Sequence, residues 1–345
     1  MSKRKLNRRQ QWRIEKIQAE KAARVKKKTQ KADSELLGGE LGPEQEGLII
    51  AHFGQSLEVE AINKAPDEEN YRCFARANID ALVTGDRVVW RAGKDQTGII
   101  ETRLTRDSLL QRPDNYGQLK PVAANIDRIL VVVATEPKPF ANLIDRYLVA
   151  AETLEIKPAI LFNKSDLINE ENRTFIESLR CTYENLGYEV LLTSAMDLAQ
   201  CESELTDWLQ NHTSVFVGQS GVGKSSLIRS ILDDDTIRVG ALSQNTRKGT
   251  HTTTTAKLFH LPGGGRLVDS PGIREFGLWH INENELLAGF IEFRPYIGYC
   301  KFRDCKHEQE PGCAIKAAFE AGEISESRMH SYQHILATLD DVETH

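Results

Sequence analysis

Hydrophobic and polar positions change their period twice along this chain. From Gly47 to Leu104 short alternating runs follow one another: Gly47 to Ile50, Leu57 to Ala61, Tyr71 to Ala77, Arg87 to Ala92 and Gly98 to Leu104. Turn signals such as Thr84-Gly85-Asp86 and Ala92-Gly93-Lys94-Asp95 separate them. Period-two alternation buries one face of each run and wets the other, so residues 40–112 are read as five short strands closing into a small barrel. An OB-type barrel fits that count, as does a generic five-stranded barrel. Tyr71, Phe74 and Trp90 are read as core aromatics of this barrel; stacking on nucleic-acid bases is the alternative.

Residues 113–121 are polar and are read as a linker. Beyond them, over 122–290, strand-like runs alternate with helix-like ones, which predicts a parallel sheet covered by helices. The expected strands are Arg128 to Ala134, Pro158 to Phe162, Tyr188 to Leu192, Ser214 to Val217, Ala256 to Leu261 and Arg266 to Val268. In open α/β sheets, ligands bind outside the C-terminal ends of the strands, and most of the motifs below sit there. From residue 291 to 345 a Cys/His cluster is followed by a helical pattern, Cys313 to Leu339.

Charge changes the picture at one end. The 345 residues carry 44 Lys/Arg and 50 Asp/Glu, a formal net charge of -6 that argues against a polyanion partner. Residues 1–31, however, hold 13 Lys/Arg against two Glu. Residues 1–39 are therefore expected to be a basic disordered arm, too poor in apolar surface to fold alone and suited to an anionic surface. No apolar run approaches the roughly 18 residues of a membrane-spanning helix, and no apolar segment follows the N-terminal charge. A cytoplasmic protein with no membrane partner is expected. In that reducing compartment the six cysteines are read as thiols or metal ligands rather than disulfides.

The chemistry is most legible at Gly218-Gln219-Ser220-Gly221-Val222-Gly223-Lys224-Ser225, which matches the P-loop pattern directly after an apolar strand and before a helix-compatible run beginning at Ser226. Its glycines let backbone N–H groups converge on phosphate oxygens, and the helix start behind them favours negative charge. Lys224 is expected to reach the β and γ phosphates and the Ser225 hydroxyl to ligate Mg²⁺. A later strand ends in Asp269-Ser270-Pro271-Gly272, where Asp269 can hold Mg²⁺ through water and the Gly272 N–H can meet the γ-phosphate.

Asn163-Lys164-Ser165-Asp166 decides which nucleotide binds. A carboxylate at Asp166 can accept from the N1–H and N2 amino group of guanine, and adenine offers no donor there. A site built this way rejects the wrong base by roughly 10⁴ or more. The companion loop Thr193-Ser194-Ala195 can bring the Ala195 N–H to guanine O6. GTP and GDP are thus the expected substrate and product. Base recognition precedes phosphate binding in this chain, the reverse of an ordinary GTPase, so the sheet is expected to be a circular permutant joined near Asn211 to Thr213.

Cys300, Cys305, His307 and Cys313 give the spacing C-x4-C-x-H-x5-C. Three thiolates and one imidazole suit tetrahedral Zn²⁺ and leave no open coordination position, so one structural zinc is expected. Lys301, Arg303 and Lys306 interleave with the ligands, either to touch RNA or as a solvated surface.

Taken together, the permuted motif order, the N-terminal barrel and the C-terminal cysteine cluster resemble the small ribosomal subunit biogenesis GTPases of the RsgA, or YjeQ, family, over essentially the whole chain. The resemblance implies a multi-domain α/β protein: an OB-fold, a circularly permuted P-loop GTPase domain and a C-terminal helical zinc-binding domain. It implies a monomer whose partners are the small ribosomal subunit and its rRNA, and whose GTP hydrolysis that subunit stimulates during late maturation. The zinc cluster matches the family's residue for residue.

Ile273 stands directly after Gly272, where many GTPases carry the glutamine that orients attacking water. An aliphatic side chain cannot do that. The candidate replacement is His251, in the first switch loop Gly249-Thr250-His251-Thr252-Thr253-Thr254-Thr255, where the resemblance also implies a catalytic histidine. One of Thr252 to Thr254, with Thr253 taken as the candidate, is expected to bind Mg²⁺. Loss of the γ-phosphate is expected to move the segment Ile273 to Tyr299 and with it the zinc module.

Overall fold

The computed structural model describes residues 41–63, 68–114, 117–194, 202–237, 256–269, 281–308 and 310–342. The basic arm, Ala195, His251, Thr253, Gly272 and Ile273 lie outside the described residues. The chain forms two compact units, one reaching Leu82 and resuming over Asp86–Thr105, the other comprising Val83–Gly85 and everything from Arg106 onward.

The first unit is a five-stranded barrel of β1 (Glu44–Phe53), β2 (Ser56–Ala61), β3 (Tyr71–Ala75), β4 (Arg87–Ala92) and β5 (Thr97–Arg103). Its strands pair in the order β1-β2-β3-β5-β4, and β4 returns to β1, so no edge is left open. Only β3 and β5 run parallel. This closed order is the OB-like arrangement expected from the period-two runs. Their apolar face supplies the core of Ile49, Leu57, Val59, Val88, Trp90 and Ile100. Trp90 is fully buried, with the Tyr71 ring centroid 4.7 Å from its own, so these two aromatics pack with the core.

The second unit opens with a hairpin, β6 (Leu109–Pro113) against β7 (Leu119–Ala124). The stretch 113–121, read from its polarity as a linker, thus carries the turn of this hairpin and the ends of both strands. Alternating side chains at Leu109 to Pro113 are too few to stand out by period. Then come β8 (Arg128–Ala134), α1 (Ala141–Thr153), β9 (Lys157–Asn163), α2 (Arg173–Asn185), β10 (Glu189–Leu192), α3 (Glu202–Leu209), β11 (Thr213–Val217), α4 (Lys224–Ile237), β12 (Lys257–His260) and β13 (Arg266–Asp269).

Within this unit the sheet order is β10-β9-β8-β11-β13-β12. All neighbours are parallel except β12 with β13. Helices cover a parallel sheet on both faces, so its inner strands read as unbroken apolar runs. β8, Arg-Ile-Leu-Val-Val-Val-Ala, is buried from its second residue to its last. At the opposite edge from the ligand side, the expected join is tied down: the Asp127 carboxylate accepts from the Thr213 N–H at 2.7 Å, and Arg128 donates to the Trp208 carbonyl at 2.5 Å.

The C-terminal region contains α5 (Glu283–Gly289), a 3-10 turn (Ile291–Tyr296), α6 (Ala314–Glu320) and α7 (Glu326–Val342). The single helical pattern expected over Cys313 to Leu339 is two helices. Gly322 adopts φ +77° and turns the chain, with the Glu323 N–H closing on the Ala318 carbonyl and ending α6. No helix among the described residues is long and apolar enough to cross a membrane.

Candidate nucleotide site and metal centre

Parallel pairing places four motif-bearing strand ends on one edge. Asn163 ends β9 opposite Ala134, Leu192 ends β10 opposite Phe162, Val217 ends β11 opposite Val131, and Asp269 ends β13 one step beyond the Val215–Val268 pair. Scattered in sequence, these residues are neighbours in space because each strand feeds the same side of one sheet.

The P-loop leaves β11 at Gly218 and enters α4 at Lys224. Gly218 has φ +138°, and a β-carbon there would lie 2.2 Å from the Val132 carbonyl oxygen. Gly223 has φ +93°, and its missing β-carbon would fall 2.4 Å from the Asn163 Nδ2. Both positions exclude any side chain, by backbone conformation and by space. Gln219, Ser220 and Gly221 are exposed along the loop, Val222 is buried beneath it, and Ser225 and Ser226 follow on the first turn of α4. Lys224 is 7% exposed, and its ammonium donates to the carbonyls of Gly218 at 2.6 Å and Gln219 at 2.7 Å. That folds the charge back into the loop it closes.

The base motif is bonded to this loop. Asn163 Nδ2 donates to the Val222 carbonyl at 2.8 Å, and Lys164 Nζ donates to the Gly221 carbonyl at 2.9 Å and the Glu136 carbonyl at 2.7 Å. Lys164 sits at φ +60°, and its own carbonyl accepts from the Thr135 hydroxyl at 3.0 Å. Ser165 begins a 3-10 turn, its N–H held by the Thr193 carbonyl at 3.0 Å. The Asp166 side chain is exposed, and one carboxylate oxygen accepts from the Ser194 hydroxyl at 2.5 Å, so the companion loop orients the carboxylate. Beside the P-loop a cleft is walled by Val132, Pro137, Phe140, Ile144 and Tyr147 together with Gly218 and Gln219. Asp269 is half-buried at the same sheet edge.

Two contributors escaped the sequence reading. Thr135 and Glu136 follow β8, a strand to which no motif was assigned, and both fasten Lys164. The available signal was the strand itself: every parallel strand of this sheet ends at the ligand edge.

In the C-terminal region Cys300, Cys305, His307 and Cys313 bring their ligand atoms within 4.8 Å of one another. His307 Nδ1 lies 3.5 Å from the Cys300 sulfur and 3.4 Å from the Cys313 sulfur. Tetrahedral zinc with Zn–S near 2.3 Å and Zn–N near 2.0–2.1 Å requires S···N separations of roughly 3.6 Å, so the donor set fits that ion. Burial pushes the His307 imidazole below its usual range, which favours the neutral form a metal needs. Main-chain N–H groups of Ala314 and Lys316 point at the Cys300 and Cys313 sulfurs, each at 3.4 Å, as suits thiolates.

The sequence model of the RsgA GTPase family matches residues 103–279. The chain is 59% identical over 342 residues to a protein of Marinobacter nauticus named small ribosomal subunit biogenesis GTPase RsgA, covering 99% of this chain and 97% of that one. A protein of the same name from Hahella chejuensis is 56% identical, covering 100% of this chain and 99% of that one. Among solved structures, YjeQ from Thermotoga maritima superposes with a TM-score of 0.70 at 32% identity, covering 86% of this chain and 99% of the other. YloQ, described as a circularly permuted GTPase, gives 0.69 at 31% identity, covering 87% and 96%.

Proposed function

The chain belongs to the RsgA GTPase family, a family of GTP-hydrolysing enzymes, and we propose that it acts in biogenesis of the small ribosomal subunit, binding that subunit and its rRNA and hydrolysing GTP faster when bound. The names of its relatives support the process. The observation that carries the reading is internal: Asn163 and Lys164 bond to the main chain of Val222 and Gly221, which supports taking base motif and phosphate loop as two walls of one pocket.

In this reading the Asp166 carboxylate, aimed by Ser194, accepts from guanine N1–H and the N2 amino group, while the Ala195 N–H meets O6. Backbone N–H groups from Gly218 to Ser226 cradle the phosphates, and Lys224 turns from its loop carbonyls towards the β and γ oxygens. Ser225, Thr253 and Asp269 would hold Mg²⁺. When bound, Mg²⁺ neutralises charge that develops between the β and γ phosphates. The Gly272 N–H holds the γ-phosphate, and His251 positions or deprotonates the attacking water in place of the glutamine that Ile273 replaces.

A histidine on a switch loop works only when that loop is ordered, so intrinsic turnover is expected to be slow and a partner that orders the loop to accelerate it. The basic arm, residues 1–39, supplies an electrostatic contact to rRNA. Cys300, Cys305, His307 and Cys313 would hold zinc through four protein ligands, which would serve the fold of the C-terminal region rather than catalysis.

The test is GTP turnover with and without purified small subunits, with co-sedimentation in GDP and in a non-hydrolysable GTP analogue. Faster turnover and nucleotide-dependent association are expected. Absence of both would remove the proposal.

A further inference from the structure

One buried charge joins the C-terminal region to α1, the helix beside the cleft at the P-loop. Arg328, on α7 and 1% exposed, sends Nη1 to the Asp145 carboxylate at 2.6 Å and grips Glu292 with Nε and Nη2 at 2.6 and 3.0 Å. Asp145, on α1, is wholly buried and also accepts from the Tyr183 hydroxyl at 2.7 Å. Burial pushes the Asp145 carboxyl up, against the opposing pull of Arg328, Ser331 and Tyr183. Burial also opposes the charge on Arg328, and the two carboxylates more than offset it. The guanidinium lies 4.4 Å from the Phe290 ring centroid.

Such a triad is a poor source of stability. Apolar replacements of buried ion pairs are often neutral or stabilising, whereas removing one partner strands a charge. What the fork adds is geometry, since a planar guanidinium fixes two carboxylates in one arrangement. The elements it fixes are informative. Phe140 at the N-cap of α1, with Ile144 and Tyr147 on the helix, walls the cleft beside Gly218 and Gln219. Glu292 belongs to the 3-10 turn after α5, in the segment that leaves the second switch region. Tyr332, one turn along α7 from Arg328, packs against Phe290 and Phe293 with centroids 5.7 and 5.3 Å apart.

The contact is also close along its length. A β-carbon on Gly289 would lie 2.4 Å from Val149 Cγ1, so α5 seats directly on α1. Arg294 adds an ion pair to Glu152 at 2.7 Å, near the far end of α1. The segment from residue 281 to 299 is therefore held to α1 at several points, and the motion expected of it on γ-phosphate loss has to involve α1 or break these contacts.

We propose that Arg328 is a positioning residue for GTP hydrolysis: it fixes α7 against α1, so that engagement of the zinc-bearing region by the subunit displaces the α1 wall beside Gly218 and Gln219. The inference rests on the proposal that the subunit stimulates turnover. Two full-length, zinc-loaded variants test it. Arg328→Lys keeps the charge and loses the fork; Arg328→Met with Asp145→Asn and Glu292→Gln removes the triad without stranding a charge.

For both, fluorescent-GDP affinity and basal turnover should match the wild type. The subunit-stimulated kcat of the triple variant should fall by about tenfold at saturating subunit, with Arg328→Lys between it and the wild type. A lowered Tm with an unchanged stimulation ratio would overturn the inference by leaving Arg328 a merely structural residue. A raised KM for the subunit with kcat intact would overturn it too, because affinity rather than transmission would have changed. Should the triple variant not fold, the same readings on Arg328→Lys decide. If wild-type turnover ignores the subunit, the stimulation proposal falls and this inference with it.

Discussion

The Asn163 side chain occupies the space that a β-carbon on Gly223 would need, 2.4 Å from its Nδ2, and donates from there to the Val222 carbonyl at 2.8 Å. A residue of the proposed base motif and a residue of the P-loop are thus fitted to each other, although the chain places the first well before the second.

Gly223→Ala tests that fit. The substitution puts a side chain at φ +93° and against Asn163, two costs of roughly 1–3 kcal/mol each in strained sites. Fluorescence titration with labelled GDP should show affinity weakened by at least about tenfold, a loss of some 1.4 kcal/mol. Wild-type affinity would mean that the loop and Asn163 adjust freely.

Lys164→Ala removes two bonds to main-chain carbonyls, at Gly221 and Glu136. Each charged hydrogen bond of this kind contributes about 1.5–3 kcal/mol when intact. GDP dissociation, followed by stopped flow, should therefore accelerate by an order of magnitude or more. An unchanged rate would show that the P-loop holds its shape without the base motif.

The fold was legible wherever one period ran long enough. All six strands of the open sheet and all five of the barrel were expected within two or three residues of where they lie, because burial on both faces or on one imposes a clear pattern; that Lys257–His260 runs antiparallel in a sheet expected to be parallel was not legible, since strand direction leaves no mark in the period. The hairpin from Leu109 to Ala124 was not, because its strands are short and its turn is polar, which reads as a linker. The break between α6 and α7 was not expected, because a lone glycine such as Gly322 can lie within a helical pattern as well as end it, and its positive φ shows only in the fold. Among candidate site residues the motifs stood out because phosphate and guanine chemistry demand particular side chains at particular spacings, and the fold gathers their strand ends at one sheet edge. Thr135 and Glu136 act through a single hydroxyl and a carbonyl, which carry no such signature. The Arg328 triad joins residues from three distant stretches, a proximity only the fold supplies.

Zinc content is directly measurable. Metal analysis of the purified chain should give one equivalent, and Cys305→Ser should lose most of it, since three donors hold zinc far more weakly than four. Unfolding of the C-terminal region should then occur at lower temperature while GDP affinity is retained. Well under half an equivalent in the wild type would argue that the four residues are an unmetallated thiol cluster.

His251→Ala should leave GTP binding intact and lower subunit-stimulated turnover by roughly 10² or more, the usual contribution of general base or water-positioning groups. Single-turnover hydrolysis with saturating subunits is the appropriate assay. Normal stimulated turnover would remove His251 from the catalytic role and leave the replacement for the missing glutamine elsewhere.

The most direct measurement exchanges the nucleotide by one atom on each side. Asp166→Asn turns an acceptor into a donor at the base site, and xanthine, with a carbonyl at C2 where guanine has an amino group, is the base that matches it. Asp166→Asn should bind XDP in place of GDP, with GDP affinity reduced by roughly 10³ or more and the phosphate loop still closed around its ligand. Undiminished GDP binding by this variant, with no gain for XDP, would contradict the single pocket on which the account stands.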